Sequence, residues 1–203
     1  METEITQLDS FGQNINVAVF GASGSIGASL IKLFSRNEAV ENVFALSKRK
    51  PSILPERASW LHIDFDKEET LINASNFVKN SNTRLNIAIV ATGTLHDGAN
   101  YQPEKTWRSL DSDALIRVYK INAVGPAILA KYFLPLLVSD RKSVFAFLSA
   151  RVGSIGDNQT GGWHAYRSSK AALNMLIKTL SIELTMKNPS SLCVGLHPGT
   201  VNS

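Results

Sequence analysis

The chain offers one cysteine, Cys193, among 203 residues, so no disulfide can close within it. Such sparing use fits a reducing compartment, and a cytoplasmic protein is expected. Long apolar runs are missing too. No stretch approaches the about 18 consecutive apolar residues of a membrane span. Met1 to Gln13 has neither a basic start nor an apolar core, so no secretory signal is expected. The four histidines show no metal-ligand spacing, so no metal is expected. Basic surplus is small, at a formal charge of +4. Its only compact run, Lys48-Arg49-Lys50, suits one local anion better than a nucleic acid. Acidic residues are absent between Glu41 and Glu56, directly around that run. Repeats, low-complexity tracts and linker-like breaks are lacking, which predicts one domain over 1–203.

What remains is an ordinary globular mixture, 44% hydrophobic and 19% charged. Short apolar, β-branched runs at 16–20, 42–46, 59–63, 85–90, 143–148 and 192–196 read as strands. Helical spacing fills 28–34, 68–79, about 113–137 and 165–187. Residues 95–112 are polar and irregular, a loop. Strands alternating with helices predict an α/β fold, one doubly wound parallel sheet with helices on both faces. Ligands of such sheets lie beyond the carboxyl ends of the strands. The chemistry-bearing residues fall there.

The first strand runs into Gly21-Ala22-Ser23-Gly24-Ser25-Ile26-Gly27 and then a helix. Glycines at a strand-to-helix turn let the backbone approach a pyrophosphate, whose charge meets the free N–H groups of the helix start. The second strand ends in Ser47-Lys48-Arg49-Lys50. An NAD site usually places an acid here for the ribose 2′-hydroxyl, and a 2′-phosphate asks for cations. NADP(H) is therefore expected, with NAD(H) as the alternative. Asp64 follows the third strand, Ala91-Thr92-Gly93 the fourth, Ser149 the fifth and Pro198-Gly199 the sixth.

Tyr166 and Lys170 lie four residues apart at the start of a helix, one above the other. An ammonium beside a phenol favours the phenolate, so the Tyr166 pKa is expected below the usual value of about 10, fit for proton transfer. Asn122 sits in an apolar helical stretch, where a polar amide needs a partner.

These segments resemble the short-chain dehydrogenase/reductase superfamily over nearly the whole chain. Tyr166-x-x-x-Lys170 matches its active-site pair, Asn122 its helix asparagine and Pro198-Gly199 the turn after its sixth strand. Ser-Ala-Arg-Val-Gly-Ser-Ile, with Gly-Gly-Trp-His-Ala-Tyr-Arg-Ser-Ser-Lys, is most similar to its carbonyl-reductase and C-factor-like branch. The resemblance implies hydride transfer between NADPH and a small carbonyl or alcohol substrate, in a homodimer or homotetramer. Tyr166 would protonate the substrate oxygen and Lys170 would bind the nicotinamide ribose. Ser149 would polarise the carbonyl, and Asn122 would hold a water leading to Lys170. The cofactor would be held by Gly21, Ser23, Gly24, Ser25, Ile26, Gly27, Ser47, Lys48, Arg49, Asp64, Ala91, Thr92, Gly93, Tyr166, Lys170, Pro198, Gly199 and Val201.

Three departures stand out. The glycines are spaced Gly-x-x-Gly-x-x-Gly rather than Gly-x-x-x-Gly-x-Gly. Val90-Ala91-Thr92-Gly93 replaces Asn-Asn-Ala-Gly. Without gaps, Ala150 falls on the catalytic serine and Ser149 just before it. These departures leave open a reductase-like regulator or signalling protein that binds NADP(H) with little turnover. The family's substrate-covering segment, a further helix and a seventh strand are expected to be missing after 203.

Overall fold

The computed structural model describes residues 8–96 and 101–199. Six strands form one sheet: β1 (Ile15–Phe20), β2 (Val40–Ser47), β3 (Ala58–His62), β4 (Ile87–Val90), β5 (Ser143–Leu148) and β6 (Ser191–Leu196). Their order is β3-β2-β1-β4-β5-β6 and every pairing is parallel. The expected α/β sheet is present. The order reverses between β1 and β4, so a crevice must open where the connections leave their carboxyl ends in opposite directions.

Alternation along each strand builds two cores. Ile15, Val17 and Val19 of β1 face one side with Val43, Ala45, Ile87 and Ile89. There Ile31 and Phe34 of α1 (Ser25–Ser35) cover them. Ala18 and Phe20 face the other side with Phe145 and Phe147. Leu71 and Val78 of α2 (Glu68–Asn80), Leu129 and Phe133 of α4 (Gly125–Phe133), and Leu173 of α5 (His164–Lys187) complete that core. All six β1 residues are buried, as befits a central strand covered on both faces. No described helix is long and apolar enough to cross a membrane.

One helix was expected over 113–137. The chain forms instead α3 (Ser112–Tyr119), a π-helical turn at Lys120–Val124, α4, and a 3₁₀ turn at Leu134–Leu136. Pro126 explains the break, because it has no N–H to give the Asn122 carbonyl four residues back. The wider turn swings the Asn122 side chain inward, and the residue is completely buried. Gly125 follows under its own constraint: a Cβ there would lie 2.4 Å from the Phe65 ring.

The homodimer or homotetramer implied by the resemblance needs exposed apolar surface. Leu129 and Leu173 are core residues and Ile128 packs on the core, so burial within one chain accounts for them. The exposed apolar residues of this region are instead Ile116, Val124, Met175, Ile182 and Met186.

Candidate active site

Gly21 ends β1 with a φ of +85°, and a Cβ on it would stand 2.9 Å from the Ala91 carbonyl carbon after β4. The two strand ends touch through this glycine. Gly27 lets α1 close onto the turn, since its Cβ would fall 2.2 Å from the Gly21 oxygen. Gly24 caps α1 without any side chain, and no acidic residue stands in the first turn. The N–H groups of Ser25, Ile26 and Gly27 precede the first α-helical bond, which Ala28 donates to the Gly24 carbonyl. They are left for an anion. Ser23, Gly24 and Ser25 are exposed and Ile26 half-buried.

A cleft of about 550 Å³ runs from this turn across the sheet switch point. Gly24 to Gly27, Ala91 to Leu95, Leu148 to Val152, Trp163, Tyr166, Lys170 and His197 to Gly199 line it. A hollow of about 640 Å³ lies beside α3, but its lining has mixed charges and excludes Tyr166 and Lys170. The 550 Å³ cleft is therefore the candidate. It unites Gly24 to Gly27 with Ala91, Thr92, Gly93, Ser149, Tyr166, Lys170, Pro198 and Gly199. Gly21, Ser23, Ser47, Lys48, Arg49, Asp64 and Asn122 stand outside its lining, and Val201 lies outside the described residues.

Lys170 is 3% exposed, and its Nζ donates to the Leu148 carbonyl at 2.8 Å. Gly93 leaves it room, since a Cβ there would lie 3.4 Å from Nζ. Nζ sits 5.9 Å from the Tyr166 ring centre. The expected lowering of the Tyr166 pKa is not found. Burial pushes the phenol up and pushes Lys170 down to about 8. Both groups are withdrawn from water, and the ammonium points at a carbonyl rather than at the phenol.

Asn122 turns out to be a clamp. Its Oδ1 accepts from Thr94 N at 2.8 Å, and its Nδ2 donates to Thr94 O and Ser169 Oγ, each at 3.0 Å. The amide therefore ties the end of β4 to α5. It is spent on protein partners, so the expected water would have to use the Asn122 backbone carbonyl, which lacks its Pro126 donor. Ser149 is likewise engaged, giving its proton to Asn174 Oδ1 at 2.6 Å. Asn174 Nδ2 donates to the Gly153 carbonyl at 3.4 Å, which fixes the amide's sense. Ala150 lines the cleft beside it without a hydroxyl. Asn174 carries no motif of its own in the sequence, although it continues the Tyr166–Lys170 face by four more residues. Thr92 keeps a buried hydroxyl oxygen without a partner among the described residues.

At the end of β2, the Ser47 hydroxyl donates to Arg49 O at 2.7 Å and accepts from Trp60 Nε1 at 3.3 Å. Lys48 reaches Asp64 at 3.0 Å and Asp66 at 3.3 Å, and these carboxylates raise its pKa. Lys120 holds Asp66 from the other side. The expected trio of Ser47, Lys48 and Arg49 thus has two members already engaged. Arg49 and Lys50 remain exposed at the turn.

Residues 16–203 match the family model for short chain dehydrogenase. An uncharacterised oxidoreductase of Schizosaccharomyces pombe is 30% identical over 200 residues, covering 91% of this chain and 73% of that protein. The C-signal of Myxococcus xanthus is 37% identical over 94 residues, 46% of this chain and 55% of its own. The solved carbonyl reductase Sniffer of D. melanogaster superposes with a TM-score of 0.78 at 25% identity, covering 92% of this chain and 81% of its own.

Proposed function

Because the chain belongs to the short-chain dehydrogenase family of oxidoreductases, we propose that it moves hydride between NADP(H) and a small carbonyl or alcohol at the cleft of Tyr166 and Lys170. The proposal covers 1–203 as one nucleotide-binding domain. The observation that carries it is a single cleft holding the uncapped start of α1, Gly93, the Tyr166 hydroxyl and the Lys170 ammonium. A dinucleotide fits the residues present. Gly21 and Gly27 let the turn close tightly against Ala91 and onto α1, and the bare N–H groups of α1 suit a pyrophosphate. Ala91, Thr92, Gly93, Pro198, Gly199 and Val201 would flank it. Arg49 and Lys50, with Lys48 if it leaves its carboxylates, suit a 2′-phosphate better than a bare ribose.

When bound, the nicotinamide supplies or takes up the hydride. The protein does the rest. Tyr166 gives its phenolic proton to the substrate oxygen in reduction. Its raised pKa keeps that proton in place at neutral pH. Lys170, held near 8 by burial, sits close enough to neutral pH to pass a proton on. Bonding to ribose hydroxyls belongs to its role as well. Asn122 fixes the β4 end against α5 so that Gly93 and Lys170 keep their spacing. Ser149 is the hydroxyl available to the carbonyl, and it serves only by exchanging Asn174 for the substrate. Association into a homodimer or homotetramer is part of the same reading, resting on the exposed Val124 and Met175 rather than on core leucines.

A second reading, a binding protein without useful turnover, draws on Ala150 and on the Ser149 proton already given to Asn174. NADPH oxidation over a panel of aldehydes, ketones and quinones separates the two. Turnover that Tyr166→Phe abolishes upholds the reductase. Tight NADPH binding with no turnover on any member gives the second reading the stronger case.

A further inference from the structure

Trp163 begins α5 in an unusual way. Its φ is +51°, and it follows Gly161 at +63° and Gly162 at +66°. Glycine takes such angles freely, whereas an indole-bearing residue is strained there and persists only where its surroundings dictate the conformation. The surroundings do so from two sides. The Trp163 N–H donates to the Glu104 carbonyl at 2.5 Å. The Glu104 carboxylate, 5% exposed, accepts from Ala165 N at 3.3 Å and from the Tyr101 hydroxyl at 3.3 Å. Arg167 in turn donates through Nε to Gly162 O at 3.1 Å and through Nη2 to Thr160 at 2.9 Å. A buried carboxylate and a guanidinium thus hold one strained turn.

That turn decides where the indole goes. Its ring centre lies 6.4 Å from that of Tyr166, the planes crossing at 73°, and it lines the cleft although 38% exposed. Leu95, Leu148, Ala150 and Val152 give the same cleft an apolar lining. We propose that Trp163 is a specificity-determining residue, a fixed aromatic wall that favours substrates with a flat aryl or conjugated group next to the reacting carbonyl. Glu104 is its positioning residue. This rests on the reductase reading of the cleft and adds the substrate class. An indole offers a flat substrate both area and an edge-to-face or stacked partner, whereas a short alkyl chain gains little from it.

The experiment compares benzaldehyde with propanal as NADPH-dependent substrates of the wild type, Trp163→Phe, Trp163→Ala and Glu104→Gln. Trp163→Ala should lose about tenfold or more in kcat/KM for benzaldehyde, with propanal and NADPH affinity nearly unchanged. Trp163→Phe should recover most of the loss. Glu104→Gln should shift the benzaldehyde-to-propanal ratio in the same direction by a smaller factor, a change that general loosening would not produce. Equal losses on both aldehydes, or none on either, overturn the wall. Wild-type protein inert toward both aldehydes would count against the reductase reading instead. Calorimetric titration of benzyl alcohol and 1-propanol into the NADP⁺-loaded proteins then decides the wall by the same ratio, read in Kd.

Discussion

Lys170 is built for use at a cost to stability, and Lys170→Met should make the protein more stable. A lysine held at about 8 instead of 10.5 has its charged form disfavoured by about 3 kcal/mol in the folded state. Methionine is apolar, of similar length, and carries no such penalty. It gives up the bond to the Leu148 carbonyl, worth about 1 kcal/mol. The balance favours the variant by about 2 kcal/mol at pH 7, which for a chain this size raises Tm by about 4–8 °C. The folded pKa lies below the unfolded one, so the penalty is fully present below pH 8 and fades as pH rises toward 10.5. Tyr166 and Cys193 also titrate in alkali, both raised by burial, and both are lost as stabilisers when pH climbs past their unfolded values. They are common to the two proteins and cancel in the difference. Thermal and urea unfolding of both proteins at pH 7 and pH 10 should therefore show the gap shrinking with pH. A methionine variant no more stable at pH 7, or a gap independent of pH, would refute the claim that Lys170 is held charged against its surroundings.

Other expectations follow from the same contacts. Tyr166→Phe should lower turnover by about 10²–10⁴-fold while leaving NADPH affinity nearly intact, as rapid-mixing and titration would show. Asn122→Ala strips partners from Thr94 N, Thr94 O and Ser169 Oγ, so it should cost about 2–4 kcal/mol in urea unfolding. Activity should fall with it. Arg49→Ala should weaken NADPH binding more than Lys48→Ala, because Lys48 is engaged by Asp64 and Asp66. Calorimetry with NADPH and NADH reads this directly, and equal affinity of the unmodified protein for both would remove the 2′-phosphate assignment.

Much of this protein is determined locally. Apolar runs at strand spacing, glycines at a strand-to-helix turn, and a tyrosine four residues before a lysine depend only on neighbours in the chain. The apolar run of β1, the Gly21–Gly27 turn and the Tyr166–Lys170 face could therefore be read from the order of residues. The apolar run starts at Leu85, yet Leu85 pairs as an isolated bridge with Leu137 and β4 begins at Ile87. Such edges depend on a partner strand. The sense of a pKa shift is a matter of environment. Spacing put an ammonium near a phenol, but folding buried both and aimed the ammonium at Leu148, so desolvation outweighed attraction. Distant partners were equally invisible. Asn122 meets Thr94 and Ser169, Ser149 meets Asn174, Lys48 meets Asp64, and Trp163 meets Glu104 only once the sheet is assembled. Sequence fixes which groups the chain carries and how their immediate neighbours space them. Tertiary structure alone decided which of those groups are spent on one another and which remain free for a ligand, because hydrogen bonding and burial act through space rather than along the chain.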